Sequence, residues 1–151
     1  MSTKEKFKPY AAAYLMLIKD GQVLLLRRFN TGYQDGNYSL VAGHLDGGET
    51  AKQCIIREAN EEAGIMISPK NLDVVHLMHR FNPDREYFDI YLRAEKWTGN
   101  IMNMEPKKCD ELKWYSMDGL PNNILPEIKL ALENINKNIH YSEFGWQNKN
   151  N

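Results

Sequence analysis

Glu58, Glu61 and Glu62 are the residues of this chain whose types and spacing could do chemistry. On an α-helix, positions i, i+3 and i+4 share a face. A run Glu58-x-x-Glu61-Glu62 would therefore aim three carboxylates at one patch. Like charges at that spacing destabilise an exposed helix by roughly a few tenths of a kcal/mol per pair, and a divalent cation offsets the repulsion directly. Hard oxygen ligands favour Mg²⁺, with Mn²⁺ served by the same set. Mg²⁺ usually keeps waters and takes phosphate oxygens as further ligands. An isolated run of this kind more often just faces water, so its meaning depends on the elements around it.

Those elements are readable. Residues 50–63 carry a helix with a clear entry signal, Thr50 as N-cap and Gln53 three residues later as a capping box, and Gly64 stops it. Ile55, Ile56, Ala59 and Ala63 would pack this helix onto a sheet. Apolar runs at 10–18 and 23–26 flank Asp20-Gly21, a hairpin signal, and read as two antiparallel strands. Residues 27–37 read as a loop, 38–42 as a short strand, and 43–49 as a glycine-rich turn. Residues 72–81 and 86–95 read as strands, the second with Phe88, Ile90, Leu92 and Ala94 alternating against Tyr87, Asp89, Tyr91 and Arg93. A strand at 111–115 and a helix at 125–136, with Pro126 in its first turn, complete the pattern. Residues 1–9 and 138–151 read as terminal extensions of one α+β domain, the tail from Lys137 being polar and Asn-rich.

Composition narrows the classes. The 151 residues suffice for one domain with a real core. With 19 basic against 20 acidic residues there is no basic surplus, which argues against a bulk-electrostatic nucleic-acid binder. Arg27, Arg28, Lys107 and Lys108 are the candidates for a local basic patch. Cys54 and Cys109 lack metal-ligand spacing and read as reduced thiols, which makes the cytoplasm the simplest address. Residues 1–9 have no apolar h-region, and no apolar run reaches the roughly 20 residues that span a bilayer. No G-x-S-x-G, Walker loop or H-E-x-x-H occurs.

Gly43, Glu49, Arg57, Glu58, Glu61, Glu62, Gly64 and Ile65 stand in one ungapped frame, and this frame resembles the Nudix box. The chain departs from the family pattern at Ala59, where a larger aliphatic residue is usual, and around Ala42-Gly43-His44. The resemblance implies an α/β/α sandwich: a mixed central sheet flanked by the box helix and a C-terminal helix. It implies that Glu61 and Glu62 bind metal, with Glu58 as a further ligand or the base that activates water. The main-chain carbonyl of Ala42 is an additional ligand by the same likeness. Glu49 and Arg57 look like the pair that ties loop to helix, and Arg57 is counted with Glu58 and Glu61 in the catalytic group.

Trp97-Thr98-Gly99, the run Asn103 to Cys109, Trp114, Leu120-Pro121 and the turn Gly43-His44-Leu45 resemble MutT-like nucleoside triphosphate pyrophosphatases. In such enzymes a loop glutamate completes the metal site, and Glu105 is the candidate here, as metal ligand and catalytic residue. The resemblance implies Mg²⁺-dependent cleavage of a nucleoside triphosphate (8-oxo-dGTP, a dNTP or CTP) to a monophosphate and pyrophosphate. It implies a small-molecule partner and a homodimer as in many relatives, while composition points to no membrane and no stable nucleic-acid partner. ADP-ribose, nucleotide sugars, dinucleoside polyphosphates, coenzyme A and RNA caps remain alternatives, as does a non-catalytic nucleotide sensor. Arg27 and Arg28 are candidates for phosphate contacts, Tyr87 and Tyr91 for stacking on a nucleobase, and His44 for a substrate contact beside the metal turn. His76, His79 and His140 read as structural.

Overall fold

In the computed structural model, residues 3–149 are described; Met1, Ser2, Asn150 and Asn151, the outer ends of the two presumed extensions, lie outside them. The sheet is built outward from β1 (Tyr10–Lys19), which pairs parallel with β6 (Arg85–Ala94) along one side. Along its other side β1 has two antiparallel partners. Its end joins β2 (Gln22–Arg28) through the hairpin, and residues 12–15 join β4 (Val41–His44). The hairpin turn has positive φ at both Asp20 (52°) and Gly21 (74°), the conformation of a type I′ turn, whose twist matches that of the strands.

β3 (Tyr38–Ser39) and β7 (Cys109–Ser116) pair with β2, and β5 (Asp73–Asn82) pairs with β6. The stretch expected as one strand at 38–42 thus changes partner at Leu40, leaving β2 and joining β1.

Helix α1 (Ala51–Ala63) covers one face of the sheet and α2 (Pro126–Asn136) the other. Leu15, Leu17, Leu24 and Leu26 pack with Cys54, Ile55, Ala59 and Ala63 of α1. Met16, Leu25 and Tyr91 pack with Ile128, Ala131, Leu132 and Ile135 of α2. Consecutive residues of β1 and β2 therefore enter opposite cores, which is why these strands read as continuous apolar runs. The protein is α+β with the expected helix–sheet–helix layering. No helix among the described residues is long and apolar enough to cross a membrane. Both cysteines are free and buried.

The polar tail is not a mere extension. β8 (Tyr141–Phe144) adds to β5 in parallel as an edge strand. Buried His76 holds it: one ring nitrogen meets the Ile139 carbonyl at 2.8 Å and the other the Ser142 hydroxyl at 2.7 Å. Trp146 then donates its indole N–H to the His79 carbonyl at 2.9 Å.

The start of α1 is capped as its sequence indicates. Thr50 Oγ accepts from Gln53 N at 3.1 Å, and Gln53 Oε1 accepts from Thr50 N at 2.8 Å. Gly64 ends it at φ 69°. Thr50→Ala should lower the unfolding free energy by about 1 kcal/mol, read from urea titration, with the m-value unchanged and Thr50→Ser close to the parent.

Candidate functional site

The end of β4 and helix α1 meet at unusually short range. Gly43 sits beneath the carboxyl group of Glu58, so a Cβ at position 43 would collide with it. Cys54 lies over the same strand end, its Sγ 3.7 Å from the Gly43 carbonyl and 3.6 Å from that of His44. Arg57 locks the two elements: its guanidinium reaches Glu58 at 2.7 Å, Glu49 at 2.9 Å, Asp46 at 3.3 Å and Glu61 at 3.5 Å. The hydrogen bond from Arg57 holds the Glu49 carboxyl below the usual range, helped by the Asp46 N–H.

Glu58, Glu61, Glu62 and Glu105 line one groove of about 380 Å³. Glu105 arrives from a loop hooked onto the last turn of α1. Met102 N donates to the Ala63 carbonyl at 3.0 Å and Met104 N to that of Glu62 at 3.2 Å, satisfying acceptors the helix end leaves free. Asn103 stiffens the loop, donating to the Cys109 carbonyl at 2.6 Å and accepting from Glu105 N at 3.0 Å.

Burial and then the Glu58 charge push the Glu62 carboxyl up to about 9, although Ala42 N donates to it at 3.2 Å. Burial also raises Glu58; Arg57 opposes this, while Glu61 and Glu105 add to it. Among the described residues Glu62 has no cationic side chain in ion-pair contact, and no three His, Cys, Asp or Glu groups close into a ready-made cage. A crowded, oxygen-only set that suffers from its own charge fits a hard divalent ion which retains part of its water. Glu58, Glu61, Glu62 and Glu105 could hold one, while Ala42 lines the neighbouring cavity with its N–H bonded to Glu62.

The groove opens into a cavity of about 790 Å³, the two sharing Leu26, Arg28 and Glu62 as walls. His44 and Tyr87 line this cavity, beside Ala42 and Gly43. Beneath them lies an ion pair: Arg80 grips fully buried Asp89 through two bonds of 2.6 and 3.2 Å, and its guanidinium stacks 4.0 Å from the Tyr87 ring centre.

Two sequence candidates lie elsewhere. Tyr91 is 0% exposed, stacked on Tyr14 at 4.8 Å within the α2-side core, and so cannot meet a ligand. Its strand is covered on both faces, so alternation did not mark a free side. Arg27 lines neither space and pairs with Asp110 at 2.7 Å and Glu111 at 3.5 Å. Arg28, by contrast, lines both, and Lys108 lines the groove.

Arg80, Glu127, Thr31 and Tyr33 also line these spaces and escaped the sequence reading. The nearest signal was the spacing of Thr31, Gly32, Asp35 and Gly36, typical of a side-chain-stapled turn.

A family model described as NUDIX domain matches residues 7–135. A "NAD-capped RNA hydrolase NudC" of Stutzerimonas stutzeri (strain A1501) is 30% identical over 107 residues, 71% of this chain and 37% of that protein. The protein of the same description from Escherichia coli O9:H4 (strain HS) is 31% identical over 120 residues, 78% of this chain and 44% of its own length. The chain thus spans less than half the length of these relatives. Among solved structures, a MutT NUDIX hydrolase from Burkholderia pseudomallei shares the fold at a TM-score of 0.77. It is 22% identical, over 84% of this chain and 98% of that one.

The contact at Gly43 yields a direct test. Gly43→Ala should displace the Glu58 carboxyl and weaken Mn²⁺ binding roughly 10- to 100-fold, followed by isothermal titration, while circular dichroism stays that of the parent. Parental Mn²⁺ affinity in the folded variant would show that Glu58 need not lie over position 43.

Proposed function

The chain belongs to the NUDIX domain family, and from that premise we propose that it hydrolyses a nucleoside triphosphate, with Mg²⁺, to a nucleoside monophosphate and pyrophosphate. The observation that carries this reading is the division of the site into two unlike spaces. Tyr14, Tyr33 and Tyr87 line the larger cavity, which suits one nucleoside. Among the described residues no aromatic side chain lines the carboxylate groove; its walls instead include Arg28, Thr31 and Lys108. Such a groove suits a chain of phosphates better than a second base and sugar.

A bound divalent ion would polarise the phosphoryl oxygens and acidify a water. The protein's own part is to fix the reacting groups. Glu58, Glu61, Glu62 and Glu105 surround the groove, and one of these carboxylates takes the proton as water attacks an internal phosphorus. The P–O bond to the departing pyrophosphate breaks, and Arg28 and Lys108 lie where its negative charge would accumulate. Arg57 acts by holding Glu58 and Glu61 in place.

A second reading, cleavage of a dinucleotide such as NAD, is favoured by the likeness to relatives described as NAD-capped RNA hydrolases. A panel of dNTPs, 8-oxo-dGTP, CTP, ADP-ribose and NAD with Mg²⁺ separates the two. Pyrophosphate release from triphosphates is expected; turnover of NAD or ADP-ribose alone would sink the triphosphate reading. Glu61→Gln and Glu62→Gln should each lower kcat by about 100-fold or more with the fold retained, and EDTA should abolish turnover until Mg²⁺ is restored.

A further inference from the structure

Among the described residues three tyrosines line the large cavity, but two of them have little ring surface left to offer. Tyr87 is 8% exposed, with Arg80 stacked on it and the Tyr10 and His44 rings tilted against it at 5.5 and 5.8 Å. Tyr14 is stacked on Tyr91. Tyr33 is 49% exposed and sits on the loop between β2 and β3.

That loop is held in one shape by its own side chains. The Asp35 carboxylate accepts from Thr31 N at 3.0 Å, Gly32 N at 3.0 Å and the Thr31 hydroxyl at 2.6 Å. The same hydroxyl oxygen accepts from Tyr33 N and from Arg28 Nη2, each at 3.1 Å. Arg28 Nε donates to the Tyr33 carbonyl at 2.7 Å, and its guanidinium lies 5.4 Å from the Tyr33 ring centre. Asn30 and Gln34 both take positive φ, 53° and 51°, a conformation that non-glycine residues keep only where neighbours enforce it. The result is an arm spanning the whole site: Thr31 lines the carboxylate groove and Tyr33 the large cavity.

We propose that Tyr33 is the nucleobase platform of this site, its ring stacking on the base while Thr31 faces the phosphates, and that Asp35 is the positioning residue that sets the arm. The inference rests on the reading of the cavity as a nucleoside subsite. Arg28 backs the ring through cation–π contact and reaches into the groove, so base and phosphate are held by one connected unit. Stacking of this kind tolerates any base, since every base has a π face.

The test is calorimetric binding of AMP, GMP, CMP and UMP, with Mg²⁺, to the full chain, alongside triphosphate kinetics. Tyr33→Ala should weaken monophosphate binding about tenfold or more and raise KM with kcat little changed, while leaving the affinity for inorganic pyrophosphate unaltered. Tyr33→Phe should restore binding. Asp35→Asn should follow Tyr33→Ala in KM. Unchanged monophosphate binding by Tyr33→Ala, in a protein whose parent hydrolyses triphosphates, overturns the platform and leaves the proposed activity standing. A Tyr33→Phe variant as weak as Tyr33→Ala also overturns it, because the hydroxyl and not the ring would then matter. A parent that neither binds nor hydrolyses any of these nucleotides overturns both.

Discussion

Helix α1 lies against the end of β4 only because position 43 carries no side chain. The space a Cβ would take is filled by the Glu58 carboxyl, which becomes largely buried as a consequence, its side chain 14% exposed. A carboxylate in that position needs a partner, and Arg57, one residue earlier, supplies it while also gripping Glu49 and Asp46 across the turn. Each of these ion pairs is partly open to water and contributes little stability on its own. Their combined effect is geometric: a planar guanidinium with several fixed donors holds turn and helix in one relation. Glycine, arginine and the two glutamates are one constraint expressed at four positions.

The electrostatic character of the groove follows from that contact. With Glu58 pressed onto the strand, Glu62 is one turn further along the same helix face, and the loop hooked to the helix end brings in Glu105. Arg57 is occupied with the turn and offers nothing to Glu62. Burial and like charge then raise the Glu62 carboxyl. A divalent ion would oppose that shift, because binding requires the ionised form. The fold therefore gathers carboxylates at one place, a set that a bound divalent ion would stabilise.

Legibility in the sequence divides along the same line between local and long-range causes. The capping box of Thr50 and Gln53, the Gly64 stop and the Asp20-Gly21 hairpin are local, and their residues announce them. The grouping of the box glutamates was legible because their spacing puts them on one helical face inside a frame that resembles the Nudix box. β8 was not, since what makes 141–144 a strand is His76, more than sixty residues away, bonding to Ile139 and Ser142. Tyr91 misled for a related reason: alternation identifies a free face only when one side of a sheet meets water, and β6 is covered on both. Arg27 and Arg28 are neighbours of identical type, yet Asp110 on β7 claims the first and the site receives the second. Strand alternation guaranteed that they would part, but not which would face inward.

The walls of the large cavity differ in what holds them. On one side, Asp89 is a buried charge tolerated because Arg80 meets it with two hydrogen bonds, and Arg80 in turn supports Tyr87. Removing either member would leave the other charge buried without a partner, a costly arrangement, so this wall is fixed by the stability of the sheet itself. On the other side stands a surface loop whose shape rests on Asp35 and Thr31, side chains that pack against no core. Changes there cost the fold little, whereas they move whatever the loop presents to the cavity. On the proposed reading, the carboxylates stand on a helix where displacement is expensive, and the stacking ring on an arm where substitution is cheap.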